Sequence, residues 1–303
     1  MTTPLLSPTV VRTQAEFEAL VSDIRPELHR YCARMIGSAV DSEDVVQDAL
    51  AKAYASLPAT SITNMRGWLF RIAHNKAIDY LRRSSHQQLE HLDEQALLAE
   101  PDPPLDEPEL VTVALSVFLK LTPKQRSCVI LKDVMRCSLA EISELLDATV
   151  PEIKAALHRG RARLRELSKS VTEAVPTVLG AHERELLAGY VDRFNARDFD
   201  AVRVMLADEV RLDLVNRLKL QGVAKVGEYF HRYALSDDWQ LALGTVEDRP
   251  AILVYDPREQ PSQPVYFMLL AWDGAQVSMI RDYRYAPYVL REANVVVIEG
   301  DRS

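Results

Sequence analysis

The sequence predicts a multidomain protein in which two all-α segments precede a C-terminal α+β domain. Apolar residues recur at helical spacing through residues 14–85 and again through 111–170. Residues 180–295 instead combine two helical stretches with strand-like runs. An acidic, proline-rich segment at residues 86–110 separates the helical parts and is typical of a linker. The length of 303 residues is enough for several domains, each with its own core.

Charge is distributed unevenly along a chain whose net charge is −8. Residues 120–169 contain 11 basic and 6 acidic side chains, whereas residues 86–119 contain 8 acids and neither lysine nor arginine. Three cysteines without CxxC spacing indicate a reduced, cytoplasmic protein. We expect no secretory signal in residues 1–11, no transmembrane segment, no metal and no cofactor. His86 and His91 fall in the acidic segment, where a solvated linker is favoured over a metal site.

The first segment contains an amphipathic helix, DSEDVVQDALAKAY, at residues 41–54. Its apolar residues form one stripe, and Asp41 is the expected N-cap. Asp44 and Asp48 lie four residues apart, where like charges repel by a few tenths of a kcal/mol. Capping explains the first helical turn but leaves Asp48, with Gln47 beside it, without a structural reason.

The second helix of interest is NMRGWLFRIAHNKAIDYLRRSS, residues 64–85. Its basic residues alternate with Trp68, Phe70 and Tyr80, a mixture that suits unpaired bases and a phosphate backbone. The alternative is that these aromatic side chains belong to the core.

Residues 138–166 have helix-turn-helix form. Ser138 is a suitable cap for the first helix, the residues DAT make the turn, and Pro151 sits early in the second helix, where proline is tolerated. The second helix should bury Ile153, Leu157 and Leu164. Its basic side predicts a recognition helix in a DNA major groove, and the alternative is a solvated face on a helical hairpin. That side contains Lys154, His158, Arg159, Arg161, Arg163 and Arg165.

In this order, with the acidic linker between the second and third, the three segments resemble an extracytoplasmic-function (ECF) sigma factor of bacterial transcription over residues 14–169. The resemblance implies region 2 at residues 14–85 and region 4 at 111–170. It implies that Asp44, Gln47 and Asp48 bind the clamp helices of the large subunit of core RNA polymerase. Promoter DNA would be bound at the −10 element by Ser61, Asn64, Arg66, Trp68, Arg71, Asn75, Lys76, Arg82 and Arg83. At the −35 element it would be bound by Thr149, Lys154, Ala155, His158, Arg159, Arg161 and Arg163.

One departure concerns base recognition. The family often has serine and arginine after the lysine of the recognition helix, whereas this chain has Ala155 and Ala156. Apolar contact or DNA shape would then replace hydrogen bonding at these positions.

Residues 181–295 resemble the cone-shaped SnoaL-like group, which includes ketosteroid isomerase and polyketide cyclases. Enzymes of this fold place carboxylates inside an apolar cone, so Asp213 and Asp282 are candidate cavity residues, although strand parity leaves either one able to face outward. Candidate lining residues are Tyr229, Tyr233, Trp239 and Tyr283. No acid–base pair with assignable roles is visible. We therefore expect a regulatory module, with a small ligand as a candidate partner, and not an enzyme.

The leading hypothesis is a sigma factor whose acidic C-terminal domain modulates its activity, through a contact near the basic recognition helix. One alternative is an isomerase- or cyclase-type enzyme fused to a DNA-binding module. Another is a helix-turn-helix repressor. A repressor would not need the acidic face of residues 41–54 or the acidic linker, and an enzyme would need a catalytic carboxylate in a cavity.

Overall fold

The structure, a computed structural model, describes residues 13–57, 62, 64–84, 114–168, 180–236 and 239–298. These residues belong to two compact units, one within residues 1–173 and one within residues 174–303. The predicted linker at 86–110 and the candidate DNA contact Ser61 lie outside the described residues. Within the described residues, no helix is long and apolar enough to cross a membrane.

The described part of the first unit is entirely helical, as the sequence predicts. The region before the linker contains α1 (Gln14–Ile36), α2 (Ala39–Ser56) and α3 (Met65–Ser84). The region after it contains α4 (Leu115–Phe118), α5 (Pro123–Val129), a π-helical turn (Ile130–Val134), α6 (Leu139–Leu146) and α7 (Val150–Ser168).

The start of α2 differs from the prediction. The N-cap is Ser38, whose hydroxyl accepts a hydrogen bond from the backbone N–H of Asp41, and the helix begins at Ala39. Asp41 is therefore a first-turn residue and not the cap. The preceding helix ends at Gly37, whose φ of 79° is the left-handed conformation that glycine adopts without strain.

The second unit places helices against one mixed β-sheet. Its helices are α8 (Ala181–Asn195), α9 (Phe199–Val204), α10 (Val223–Ala234) and α11 (Pro287–Glu292). Its strands are β1 (Leu206–Leu214), β2 (Leu218–Gln221), β3 (Gln240–Val246), β4 (Arg249–Tyr255), β5 (Tyr266–Asp273), β6 (Gln276–Asp282) and β7 (Val295–Val297). The strand order is β2-β1-β6-β5-β4-β3-β7, with β1 and β6 parallel and the other described neighbours antiparallel. The predicted α+β class is confirmed.

Two details of the second unit were not predicted. The first of the two helical stretches predicted for this domain is itself two helices, and the chain is already a strand at Leu206. The short strands β2, β3 and β7 had no strong signal. The main core of the unit contains Phe194 of α8, Phe230 and Tyr233 of α10, and Ile252 and Ile280 of the sheet.

Candidate functional site

The acidic face of α2 is exposed, and its apolar face is buried. Asp44 and Asp48 point to solvent and Gln47 is half-buried, whereas Val46 and Leu50 are in the core. Asp48 also faces a positive charge, because its carboxylate lies 3.9 Å from the ammonium of Lys76 on α3. A groove of about 450 Å³ runs between the two helices. It is lined by Asp44, Val45, Asp48, Lys76, Tyr80, Arg83 and Ser84.

Most of the predicted −10 residues that the structure describes lie on the accessible side of α3. Arg71, Asn75, Arg82 and Arg83 are exposed, and Trp68 and Lys76 are half-buried. Asn64 has a structural role, because its side-chain oxygen accepts a hydrogen bond from the N–H of Gly67 at 2.9 Å at the start of α3. Phe70 is fully buried, so for this ring the core interpretation is the right one.

Arg66 does not fit its predicted role as a DNA contact. Its side chain is only 4% exposed, and its guanidinium pairs with Glu27 and lies 3.8 Å from the carboxylate of Asp23. Releasing it to bind a phosphate would leave Glu27, itself half-buried, without this partner. The structure therefore assigns Arg66 to the packing of α3 against α1.

The helix caps and the turn of the structure confirm the predicted helix-turn-helix. Ser138 caps α6 in a reciprocal capping box with Glu141. The turn contains Asp147 in the left-handed conformation, with φ 51°. Thr149 then begins α7, with its backbone N–H 2.8 Å from the carboxylate of Glu152 and its hydroxyl 3.4 Å from the N–H of Glu152. The predicted DNA contact Thr149 is thus also the N-cap of α7.

The outward face of α7 has small residues at its centre. At about 100° per residue, Ala155 and Ala162 lie opposite the buried stripe of Ile153, Leu157 and Leu164. His158 and Arg159 flank this centre and are half-buried, and the exposed Lys154 and Arg163 lie further out. Ala156 is 1% exposed and packs into the core. Of the two alanines that depart from the family pattern, only Ala155 can face DNA.

Arg161 contradicts the prediction that it contacts DNA. It is buried, and its guanidinium donates two hydrogen bonds to Asp133, at 2.9 Å and 2.6 Å. Asp133 lies in the π-helical turn and is also buried. The sequence contained a signal for this, because Arg161 follows Leu157 by four residues and precedes Leu164 by three, which places it in the apolar stripe.

In the second unit, a buried carboxylate is surrounded by tyrosines. Asp282 is fully buried and accepts hydrogen bonds from the hydroxyls of Tyr229 at 2.8 Å and Tyr233 at 3.0 Å. Its other oxygen accepts the backbone N–H of Arg284 at 2.8 Å. Burial raises the pKa of Asp282, and these hydrogen bonds oppose that shift. Tyr266 lies 3.0 Å from the hydroxyl of Tyr233, which extends the network.

Only some of the candidate cavity residues come together. Trp239 joins the tyrosines, since its indole N–H donates to the backbone oxygen of Tyr233 at 3.1 Å. Asp213 points to the opposite face of β1 from the core residues Leu212 and Leu214. A nitrogen of Lys219 and a nitrogen of Arg281 each lie 3.6 Å from its carboxylate. Tyr283 stacks on Phe267 with 4.1 Å between ring centroids, outside the main core. The predictions for Asp213 and Tyr283 as lining of the same cavity are therefore wrong.

Comparison with known proteins follows the same division of the chain. The Sigma-70 region 2 family matches residues 20–87, and the Sigma-70 region 4 family matches residues 114–164. The ECF RNA polymerase sigma factor SigW of Bacillus subtilis (strain 168) is 32% identical over 168 residues, which are 50% of this chain and 89% of SigW. The chain belongs to the ECF RNA polymerase sigma factors.

Two solved structures are also similar to this sigma factor. The ECF sigma factor SigJ of Mycobacterium tuberculosis is 20% identical, with a TM-score of 0.35 and coverage of 89% of this chain and 99% of that one. An NTF2-like protein of Cytophaga hutchinsonii is 9% identical, with a TM-score of 0.26 and coverage of 33% of this chain and 87% of that one. Within the described residues, the C-terminal fold is defined by its own elements, helices packed on a seven-stranded mixed sheet. This is the α+β class that the sequence predicts for residues 180–295.

Membership of the family decides between the hypotheses for the N-terminal half. A sigma factor binds core RNA polymerase and promoter DNA and directs promoter-specific initiation of transcription, and this is the function of the chain. The hypothesis of a plain repressor is not supported, because the region 2 match lies outside the helix-turn-helix.

Proposed function

We propose that this sigma factor docks on core polymerase through the α2 face formed by Asp44, Gln47 and Asp48. Two exposed carboxylates four residues apart repel each other, so a basic partner surface would relieve the repulsion. Lys76 relieves it only in part, because its ammonium is 3.9 Å from Asp48 and both side chains remain in contact with solvent. The observation that supports this most directly is that Asp44 and Asp48 are both exposed on one face of α2.

The test is a charge reversal on this face with a matched control. Asp48→Arg should weaken binding to core polymerase at least tenfold and leave thermal stability nearly unchanged. Glu18→Arg makes the same change of charge at an exposed position on α1, and it should bind core polymerase like the unmodified protein. Unaltered affinity of the Asp48→Arg protein would remove this assignment.

For promoter DNA, we propose that residues 14–85 form region 2 and contact the −10 element, and that residues 111–170 form region 4 and contact the −35 element. In region 2 the accessible candidates are Trp68, Arg71, Asn75, Arg82 and Arg83 on α3, with Lys76 shared with the polymerase face. In region 4 the outward face of α7 would lie in the major groove, with Lys154, Arg159 and Arg163 next to phosphates and Ala155 against base edges. Arg66 and Arg161 are not included, because the structure assigns both to packing.

The C-terminal domain, residues 180–295, is proposed to regulate the sigma factor instead of catalysing a reaction. What supports this is the chemistry around Asp282, whose oxygens are already bonded by Tyr229, Tyr233 and a backbone N–H. A general base must come within hydrogen-bond reach of the proton that it abstracts, and Asp282 is fully buried among these three donors. Truncation after Ser170 should change promoter output in vitro, in either direction, without abolishing binding to core polymerase. Equal transcription by the truncated and full-length proteins at every salt concentration would show that the domain has no such role.

A further inference from the structure

Basic residues of the C-terminal domain are concentrated in two short stretches. Residues 180–303 contain 15 basic and 20 acidic side chains. Of these, residues 211–219 and 279–291 contain six of the basic ones and only two of the acidic ones, which leaves 9 basic and 18 acidic residues elsewhere. We call the surface formed by these two stretches the basic surface. Its basic residues are Arg211, Arg217, Lys219, Arg281, Arg284 and Arg291.

The fold brings the two stretches together. Strands β1 and β6 are parallel neighbours, and Asp213 of the first lies opposite Arg281 of the second. The turn that follows β1 is tied to the segment that follows β6. There the side-chain N–H₂ of Asn216 donates to the hydroxyl of Tyr288 at 2.7 Å and to the backbone oxygen of Tyr285 at 3.4 Å. Basic residues that are about 70 positions apart in sequence therefore share one end of the sheet.

Neither acid of the basic surface presents its charge to solvent. Asp282 is fully buried and is bonded to tyrosine hydroxyls in the core. Asp213 is only 6% exposed, and its carboxylate lies between Lys219 and Arg281. The charge that these two stretches expose is therefore positive. The exposed basic residues are Arg211, Arg217, Lys219 and Arg291.

Arg217 has the geometry of an anion-binding side chain. Its guanidinium lies over the ring of Tyr285, 5.5 Å from the ring centroid. It has no hydrogen bond or ion pair with any residue that the structure describes. Tyr285 is itself 42% exposed, so the pair is at the surface. A guanidinium stacked on an aromatic ring is oriented by the ring and keeps its planar N–H donors for a ligand, and this donor pattern matches two oxygens of a phosphate.

Arg291 of α11 is a second cation of this kind. It is exposed, and no described residue forms a hydrogen bond or an ion pair with its guanidinium. It follows Tyr288 by three residues, which places the two side chains on the same side of α11. Since Tyr288 is bonded to Asn216, the residue before Arg217, both unpaired guanidiniums belong to the same part of the basic surface.

Duplex DNA is the partner that the basic surface fits. The duplex carries one negative charge per about 1.7 Å of its length, so several clustered cations can bind it at once. A cluster of basic residues on one face is the electrostatic pattern of nucleic-acid binding, and the acidic remainder of the domain repels DNA and confines contact to this face. Promoter DNA is also the polyanion that a sigma factor binds, and a further contact to DNA already held benefits from its high effective concentration.

We propose that the basic surface of the C-terminal domain is an additional contact to promoter DNA, made to the phosphate backbone without reading the base sequence. Arg217 and Arg291 bind phosphates, and Tyr285 orients Arg217. This contact goes beyond the regulatory role proposed above, which does not require the domain to touch DNA.

The test is the salt dependence of promoter binding by the full-length protein in complex with core polymerase. Each lost phosphate contact reduces the slope of log affinity against log salt by about 0.9, so Arg217→Gln/Arg291→Gln should reduce it by about 1.8 on every promoter tried. The control is Lys225→Gln/Arg232→Gln, which removes the same charge from exposed positions on α10, each within four residues of Glu228. The control should leave the slope unchanged.

An unchanged slope for the folded Arg217→Gln/Arg291→Gln protein would overturn the proposal, and circular dichroism checks that it is folded. Weaker binding to core polymerase alone, with the promoter slope unchanged, would also overturn it and would assign the basic surface to an acidic protein partner. If the double variant does not fold, each single variant should reduce the slope by about 0.9, and an unchanged slope in both would contradict the proposal equally.

Photocrosslinking gives a second measurement that leaves the basic residues in place. Pro287→Cys introduces a thiol at an exposed position between Tyr285 and Tyr288, and the native thiols are buried. An azidophenacyl group on the introduced thiol should crosslink to promoter DNA in the complex with core polymerase, and the same group on Lys225→Cys should not. Crosslinks from Pro287→Cys to protein alone, with none to DNA, would overturn the proposal.

Discussion

The most deeply buried carboxylates of the two units, Asp133 and Glu43 in the first and Asp282 in the second, are neutralised in different ways. In the first unit both carboxylates have a charged partner: Asp133 is paired with Arg161, and Glu43 lies 2.5 Å from Arg25. In the second unit Asp282 is bonded by two neutral tyrosine hydroxyls and one backbone N–H. Arg284 contributes a more distant charge, since its guanidinium lies over the rings of Tyr233 and Tyr266.

The difference determines how each unit responds to a perturbation. When one member of a buried ion pair is removed, the other remains charged in a poor solvent, and the whole cost appears as lost stability. A carboxylate among hydroxyls can instead take up a proton and become neutral. We therefore expect substitutions at the ion pairs to lower the stability of the first unit, and changes of pH to alter the stability of the second unit.

The largest expected effect is at Arg161. Arg161→Met removes the partner of Asp133 and should lower the free energy of unfolding of the first unit by about 3–5 kcal/mol. Denaturant unfolding of the full-length protein, followed by helical circular dichroism, measures it. The double variant Arg161→Met/Asp133→Leu removes both charges and should recover most of the loss. A cost below about 1 kcal/mol for the single variant would mean that the pair is not a buried ion pair in solution.

The second effect concerns Asp282 and has a pH signature. Asp282→Asn keeps the shape but presents an amide N–H₂ where the carboxylate accepted hydrogen bonds, which should cost about 1–3 kcal/mol near neutral pH. Because burial raises the pKa of Asp282 in the folded state, its protonated form favours folding. The favourable contribution is complete below the unfolded pKa of about 3.9 and is lost as pH rises through the folded value.

The quantity to measure across pH is therefore the difference in the free energy of unfolding between the unmodified protein and Asp282→Asn. Stability of the unmodified second unit, relative to Asp282→Asn, should fall as pH increases from about 4 through the folded pKa. Asp208→Asn, at an exposed position on β1, controls for the loss of one negative charge. A difference between Asp282→Asn and the unmodified protein that does not vary with pH would show that Asp282 is not buried in a raised-pKa state.

These two sites also show what sequence reasoning could and could not supply. Helical periodicity predicted the helical character of α1 to α3, α6 and α7, because apolar stripes are long, although the cap of α2 is Ser38 and not the predicted Asp41. The same periodicity places Arg161 in the apolar stripe of α7, but it does not identify the ion-pair partner, because Asp133 is brought into place by a π-helical turn that has no periodic signal. Arg66 was misassigned for the same reason, because its partners Glu27 and Asp23 are on another helix.

In the second unit, the sequence did not reveal how long each strand is or which face of the sheet its side chains occupy. Strand β3 contains Gly244, which weakens a strand signal, yet a Cβ there would be 2.5 Å from Leu253 and 2.7 Å from the backbone of Val296. Close packing of β4 and β7 against β3 therefore requires the glycine. Asp213 and Asp282 could not be separated by sequence, because their parity depends on where β1 and β6 pair in register.

A smaller effect is expected at Thr149, where cap and DNA contact coincide. Thr149→Ala removes the hydroxyl of the capping box with Glu152 and should cost about 1 kcal/mol. Thr149→Ser retains a capping hydroxyl and should keep the stability. DNA binding measured on both variants separates the roles. If Thr149→Ser binds promoter DNA normally and Thr149→Ala binds weakly even at temperatures where it is fully folded, the hydroxyl contacts DNA as well as the helix.

The smallest effect on stability, and a large one on DNA, is expected at Arg159. This residue lies on the outward face of α7, only two positions before the buried Arg161. Arg159→Ala should change the free energy of unfolding by no more than about 0.5 kcal/mol. It should weaken binding to all promoter sequences and reduce the slope of log affinity against log salt by about 0.9, the value for one lost phosphate contact. Lys120→Ala removes the same charge at an exposed position outside α7 and should leave that slope nearly unchanged. If Arg159→Ala alters sequence preference while the salt slope stays the same, Arg159 reads a base, and the phosphate contacts must come from Lys154 and Arg163 at the edges of the face.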